Sequence, residues 1–273
     1  MQEKQNKTAK NKAAIGIFDS GLGGLTVMSA VTKLMPQENI IYFGDTAHVP
    51  YGSKSKKAVT NFALNISKFL VNHNVKLIIV ACNTASAFSL NTLKKSINVP
   101  VIGVIKAGSV TAASNTKNKK IAVIGTEGTI KSNAYTKEIK KYDKKIQCFS
   151  QACPLFVPLA EEGWLNNSVT EKIAKIYLSK IINKKIDTII LGCTHYPLLK
   201  NAIQKVAGKK INIVDSATAV AYEVNNLLKE HNLTGNGGKG SLKFFVSDSP
   251  EKFQKLGSKF FNKKITNVKK VEI

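Results

Sequence analysis

No arginine occurs anywhere in this chain; all 41 of its basic residues are lysine, and the formal net charge is +24. That absence argues against the most obvious reading of such a charge. Sequence-specific readers of nucleic acid depend on the guanidinium fork, which grips phosphate and guanine with two parallel hydrogen bonds, whereas an ammonium is a hydrated point charge. The lysines are also scattered as pairs, such as Lys94–Lys95, Lys140–Lys141 and Lys184–Lys185. A nucleic-acid partner is therefore not expected. Long apolar runs are missing too. No stretch approaches the roughly 18 residues that span a bilayer, so no membrane role is expected. The opening MQEKQNKTAKNK has no apolar core of a secretory signal, and residues 1–12 are expected to form a disordered tail. Cysteine is sparse, at positions 82, 148, 153 and 193. The spacings fit no zinc pattern, and free thiols in a reducing compartment are expected, which makes the protein cytoplasmic. The glycine turn at 21–24 lacks the third glycine of a dinucleotide fingerprint and the GK[ST] of a phosphate loop. No cofactor and no metal are expected.

What is present is organised around DTIILGCTHYP, Asp187 to Pro197. A short run of β-branched and aliphatic residues reads as a strand buried on both faces, the pattern of parallel sheets covered by helices. It ends at Cys193, and Pro197 suits the first turn of a following helix. Cys193 therefore stands at the carboxyl end of a strand, where open α/β sheets bind ligands. KLIIVACNTAS, Lys76 to Ser86, repeats the construction around Cys82. A single cysteine in such a place would be a small buried hydrophobe. Two in matched contexts suggest two half-sites facing one substrate.

Strand and helix patterns alternate along the chain. Strands are expected at Ile15–Phe18, Asn39–Asp45, Val99–Ile105, from Lys119, and at Ile211–Ala217, with helices at about 56–72, 86–96 and 170–183. Asp45 to Gly52 reads as a loop, and Pro154 and Pro158 are expected to break regular structure around Glu161 and Glu162. Ile15 and Ile121 lie 106 residues apart, Cys82 and Cys193 lie 111 apart, and Val99 and Ile211 lie 112 apart. Such similar offsets imply an internal duplication. The expected fold is α/β, with two pseudo-symmetric domains, each a mostly parallel sheet flanked by helices, and an active site in the cleft between them.

Five motifs in order, DSGLGGLTV (19–27), GDTAHVPYG (44–52), ACNTAS (81–86), CPLFVPLAEEG (153–163) and GCTHYP (192–197), resemble the aspartate/glutamate racemase family. The resemblance covers residues 15 to about 220; Cys148 and the segment after 231 add nothing to it. It implies cofactor-independent inversion of L-glutamate to D-glutamate for the cell wall, with glutamate as the small-molecule partner and a homodimer as the assembly. Cys82 and Cys193 would be the acid and base on opposite faces, Asp19 supporting Cys82, and His195 and Glu161 supporting Cys193. Ser20, Tyr51, Gly52, Asn83, Thr84 and Thr194 would hold the substrate with Asp19 and His195, and Thr126 and Thr129 are further candidates. The domains would be discontinuous, 13–104 with 215–273, and 105–214. Relatives with Glu-Pro or His-Pro after GVI differ from this chain, which has Lys106-Ala107 there.

The chemistry suits these residue types. Inversion needs a base on one face and an acid on the other, and a thiol with an ordinary pKa of about 8.5 reaches both states near neutrality. Alternatives stay open at three places: Asp19 could merely cap the next helix, His195 could be a loop histidine with local partners, and Glu161 and Glu162 are not separable by pattern. Aspartate or hydantoin racemases, a thiol-dependent decarboxylase, and a binding protein without turnover are the rival readings.

Overall fold

The computed structural model describes residues 11–235 and 237–273. Ten strands form two sheets. They are β1 (Ala14–Asp19), β2 (Ile40–Gly44), β3 (Val75–Val80), β4 (Val101–Gly103), β5 (Lys120–Gly125), β6 (Gln147–Ala152), β7 (Thr188–Gly192), β8 (Asn212–Val214), β9 (Leu242–Val246) and β10 (Val268–Lys270). The six-stranded sheet runs β10-β9-β2-β1-β3-β4 and the four-stranded sheet β6-β5-β7-β8. Every pairing is parallel. The α/β expectation holds, and so does the duplication: β2-β1-β3-β4 and β6-β5-β7-β8 have the same order, with the cysteine strands β3 and β7 in equivalent places.

This order places the site. In each sheet the chain steps first to one side of the opening strand and then to the other, so β1/β3 and β5/β7 are switch points where the connecting loops part and leave a crevice. The residues at or just past those strand ends are Asp19, Cys82, Thr126 and Cys193. The strands are stable there because both faces are covered: all of β3 and all of β7 are buried, and each fully buried Ile or Leu is worth roughly 1.5–3 kcal/mol of transfer free energy. One apolar core includes Ile15, Ile79, Ile121, Val123 and Ile190, joining strands of both sheets with the helices Val104–Asn115 and Ser216–Glu230. Lysines occupy the last turns of many helices, as at Lys33, Lys94, Lys95, Lys140, Lys141, Lys180 and Lys229. There they complement the negative end of the helix dipole, a local reason for part of the basic charge. No helix among the described residues is long and apolar enough to cross a membrane.

Several expectations need correction. The first ten residues of the expected disordered tail lie outside the described residues, but Asn11 and Lys12 are helical. Their carbonyls accept from Lys76 Nζ at 3.0 Å and Asn39 Nδ2 at 2.8 Å. The expected strand 99–105 is only three residues long, because a helix starts at Val104. The helix after Cys82 begins at Asn83 rather than Ser86. Cys148, which has no strand assigned to it above, lies inside β6. Pro158 does not break structure: it is the third residue of a helix, Phe156–Glu161, where its missing N–H has no partner to lose. After Cys193 comes a 3-10 turn, Tyr196–Leu199, and the α-helix waits until Lys200.

Candidate active site

Both cysteines, with Ser20, Tyr51, Gly52, Asn83, Thr84, Thr126, Thr194 and His195, line one pocket of about 320 Å³. Asp19, Glu161 and Thr129 stand behind these groups and hold them. Thirteen candidates, drawn from stretches up to 176 residues apart in sequence, thus belong to one locality.

The half-site at Cys82 is built by the end of β3. Cys82 is the N-cap of the helix Asn83–Ser96, and its Sγ accepts from Ala85 N at 3.4 Å and lies 3.8 Å from Ser20 Oγ. An N-terminal N–H favours a thiolate. Burial outweighs it here: together with the nearby Asp19 carboxylate it pushes the Cys82 pKa up to about 12. Cys82 is therefore a protonated thiol at neutral pH.

The half-site at Cys193 is different. Its Sγ lies 3.8 Å from His195 Nδ1, and His195 Nε2 lies 3.1 Å from Glu161 Oε1. Burial alone would lower the pKa of His195, which is 2% exposed. Its bonds to Cys193 and Glu161, with the charges of Cys193 and Asp19, win and raise it to about 10. Burial also works against the Glu161 carboxylate, yet the His195 bond and charge and the Lys252 ammonium hold its pKa below the usual value. The result is a charged row, Glu161 carboxylate, His195 imidazolium, Cys193 sulfur, in which a thiolate at Cys193 would be charge-balanced. Of the two carboxylates that pattern could not separate, Glu161 faces the histidine, while Glu162 is exposed.

Asp19 joins the halves. It is fully buried; Oδ1 accepts from Thr194 Oγ1 at 3.2 Å and Oδ2 from Gly21 N at 3.0 Å. Burial raises its pKa against the opposing pull of His195. Its effect on Cys82 is through charge; its hydrogen bonds go to Thr194 and the glycine turn. The hydroxyls of Thr84, Thr126 and Thr129 form a triangle with sides of 2.9, 3.2 and 3.1 Å, tying the helix after β3 to the turn after β5. Gly52 packs on that corner, where an added Cβ would stand 2.5 Å from Thr126 Cβ.

The whole chain is similar to known proteins. A family model described as Asp/Glu/Hydantoin racemase matches residues 24–224. The chain belongs to that racemase family, and it is an isomerase. A glutamate racemase of Geobacter metallireducens is 48% identical over 261 residues, covering 95% of this chain and 97% of the relative. One of Chlorobaculum tepidum is 46% identical, covering 98% of each chain. The crystal structure of the Francisella tularensis glutamate racemase in complex with D-glutamate superposes with a TM-score of 0.91 at 38% identity, covering 96% of this chain and 98% of that one. The aspartate racemase of Picrophilus torridus shares the fold at 19% identity and a TM-score of 0.54.

Within this racemase-family site, four contributors have no role assigned to them above, although Asp45, Val49 and Val157 lie inside the quoted motifs. Asp45, buried, accepts from Tyr51 Oη at 2.5 Å and Ser247 Oγ at 2.7 Å, and contacts His48 Nδ1 at 2.8 Å. Tyr51 is thus tied to the protein, with its hydroxyl occupied. Tyr135 Oη donates to Asn83 Oδ1 at 2.6 Å. Val49 and Val157 supply apolar wall. The glycine turn has a use that can be tested: a Cβ at Gly23 would stand 2.2 Å from Thr194 Oγ1 and 2.7 Å from His195 Nδ1. Gly23→Ala is expected to push Thr194 off Asp19 and His195 off Cys193. Its kcat should fall at least tenfold, with circular dichroism unchanged; parental kcat would show that the turn does not set this geometry.

Proposed function

We propose that this enzyme racemises glutamate without a cofactor, Cys82 and Cys193 acting on opposite faces of the α-carbon. The observation that carries the reading is the pair of buried cysteines at the ends of equivalent strands, lining one pocket with unlike charge surroundings. Cys193, beside the imidazolium, acts as the base toward the first enantiomer, as its thiolate; Cys82, with its pKa near 12, is the thiol. The thiolate accepts the α-proton and the C–H electron pair remains on the substrate as a carbanion conjugated with the carboxylate. The opposite thiol then gives its proton to the other face and becomes the thiolate. The enzyme emerges with the two roles exchanged, ready for the reverse reaction. Ser20, Gly52, Asn83, Thr84 and Thr194 hold the amino and carboxylate groups, Tyr51 shapes the wall, and Thr126 and Thr129 brace Thr84. Fixing the substrate between two prepared groups makes proton transfer intramolecular, the chief rate advantage open to a site with no electron sink.

Glutamate is favoured over aspartate because relatives matching nearly the whole chain at 43–48% identity are glutamate racemases. In this reading D-glutamate supplies peptidoglycan synthesis in the cytoplasm, the enzyme is a homodimer, and residues 13–104 with 215–273 form one domain and 105–214 the other.

The direct test follows L-glutamate by polarimetry with purified enzyme, no added cofactor and excess EDTA. Rotation should decay to zero. A preparation that is inactive until a divalent ion or pyridoxal phosphate is supplied would overturn the cofactor-free reading.

A further inference from the structure

The helix Pro250–Phe261 lies beyond every motif of the family, yet it reaches the catalytic row from behind. Phe260, 4% exposed, meets the His195 ring at right angles with centroids 5.6 Å apart. About two turns earlier, Lys252 lines a second pocket together with Glu161, Gly21 and Phe253. Phe253 is buried against Tyr42, centroids 5.8 Å apart, and Tyr42 Oη donates to Gly21 O at 2.9 Å, within the turn that carries Asp19 and Gly23. Gly257 seats the helix: a Cβ there would stand 2.9 Å from Leu25 Cδ1 and 3.1 Å from Ile265 Cδ1.

We propose that Phe260 and Lys252 are positioning residues of the reaction, holding the His195–Glu161 pair in line with Cys193. Phe260 acts as a wall. His195 is bonded at both nitrogens, to Cys193 on one side and Glu161 on the other, and such an imidazole can still swing about the axis joining them. A ring packed on its flank removes that freedom. Lys252 acts by charge. Exposed at the mouth of its pocket, it faces the Glu161 carboxylate and keeps it ionised, so that Nε2 of His195 always has an anionic acceptor. The charged and titratable groups that act on His195 are Cys193, Glu161 and Asp19, and Lys252, which lines the second pocket with Glu161, acts on that carboxylate. The inference rests on Cys193 being one of the two proton-transfer groups. It adds that part of the apparatus serving it comes from the end of the chain.

The expected pH signs follow. Removing the Lys252 charge lets Glu161 take up a proton at higher pH, so the acid limb of kcat/KM moves upward in Lys252→Gln, by about half a unit for a partly solvated pair. Lys252→Arg should restore the parental limb. Phe260→Leu keeps the pocket apolar but frees the imidazole; kcat should fall about tenfold with KM little changed. The His195 midpoint, about 10 in the parent, should fall as its two raising bonds loosen.

The experiment combines pH–rate profiles with ¹³C-histidine NMR titration of parent, Lys252→Gln, Lys252→Arg and Phe260→Leu, with melting temperatures measured alongside. Only four histidines occur, and His195→Asn assigns the signal. The NMR midpoint is read without turnover, so failure of the two-thiol chemistry leaves this test intact. A parental acid limb in Lys252→Gln removes Lys252 from the assignment. A lowered melting temperature with parental kcat and midpoint in Phe260→Leu reduces Phe260 to packing, and the two results together overturn the proposal.

Discussion

Cys82→Ser and Cys193→Ser are each expected to abolish racemisation in both directions. A serine hydroxyl keeps the size and hydrogen bonding of the thiol but is far too weak an acid to yield a ready base. Each general acid or base step is worth roughly 10²–10⁴-fold, and inversion uses both residues in every turnover, so either change should bring the rate near background. The two variants should nevertheless differ. Cys82→Ser keeps the Glu161–His195–Cys193 row and should still exchange the α-proton of the one enantiomer that presents it to Cys193; Cys193→Ser should do the same only for the other. Racemisation within about tenfold of the parent in either variant would refute the two-thiol mechanism.

The largest expected loss of stability is remote from that chemistry. Lys76 Nζ donates to Glu38 Oε2 at 2.6 Å, Leu233 O at 2.7 Å and Asn11 O at 3.0 Å, and Glu38 Oε1 accepts from Gly235 N at 2.7 Å. The two side chains are 3% and 1% exposed. The pair clasps the start of β3 to the segment before β1 and to the loop that follows the helix Ser216–Glu230. Glu38→Ala leaves a buried ammonium with only carbonyl oxygens for partners. Breaking a buried pair in this way costs about 3–5 kcal/mol, a fall in melting temperature of roughly 10 °C for a chain of this size. The exposed pair Lys131–Glu127, at 3.3 Å, is the control: Glu127→Ala should change stability by no more than about 0.5 kcal/mol. Equal melting temperatures for Glu38→Ala and the parent would mean that water already solvates Lys76.

The contrast between these sites explains what the chain discloses of itself. β3 and β7 are legible because a strand buried on both faces must be apolar throughout, and each is followed within two residues by a cysteine. The helix Val104–Asn115 is not, because it packs against β7 and β8 and against the helices Ala134–Tyr142 and Ser216–Glu230, burying Val104, Ile105, Ala107, Gly108, Ser109 and Ala112. Small residues on several sides leave no single apolar stripe to recognise. The helix Phe156–Glu161 is obscured by Pro154 just before it and Pro158 inside it, although the first turn of a helix tolerates proline. Motif spacing brings Cys82, Cys193, Asp19 and His195 to notice. Nothing local marks Tyr135, Lys252 or Phe260, since each acts through a partner brought near only by folding, and Asp45, though inside a motif, also meets Ser247 across 202 residues of chain. Nor does spacing tell that the two cysteines differ in their charged neighbours; that depends on Glu161, 34 residues from His195, closing behind one of them alone.

The central claim, one thiol on each face, is tested most directly by racemisation in D₂O. Single enantiomers of glutamate are incubated with enzyme, quenched early, separated on a chiral phase and assayed for deuterium at the α-carbon by mass spectrometry. A proton removed by one cysteine cannot be returned by the other, and the second delivers a deuteron gained from solvent. The newly formed enantiomer should therefore carry label from the first turnover while the remaining starting enantiomer carries almost none, in both directions. Label entering the starting enantiomer as fast as inversion proceeds, or product that retains the original proton, would contradict the account by requiring a single base that serves both faces.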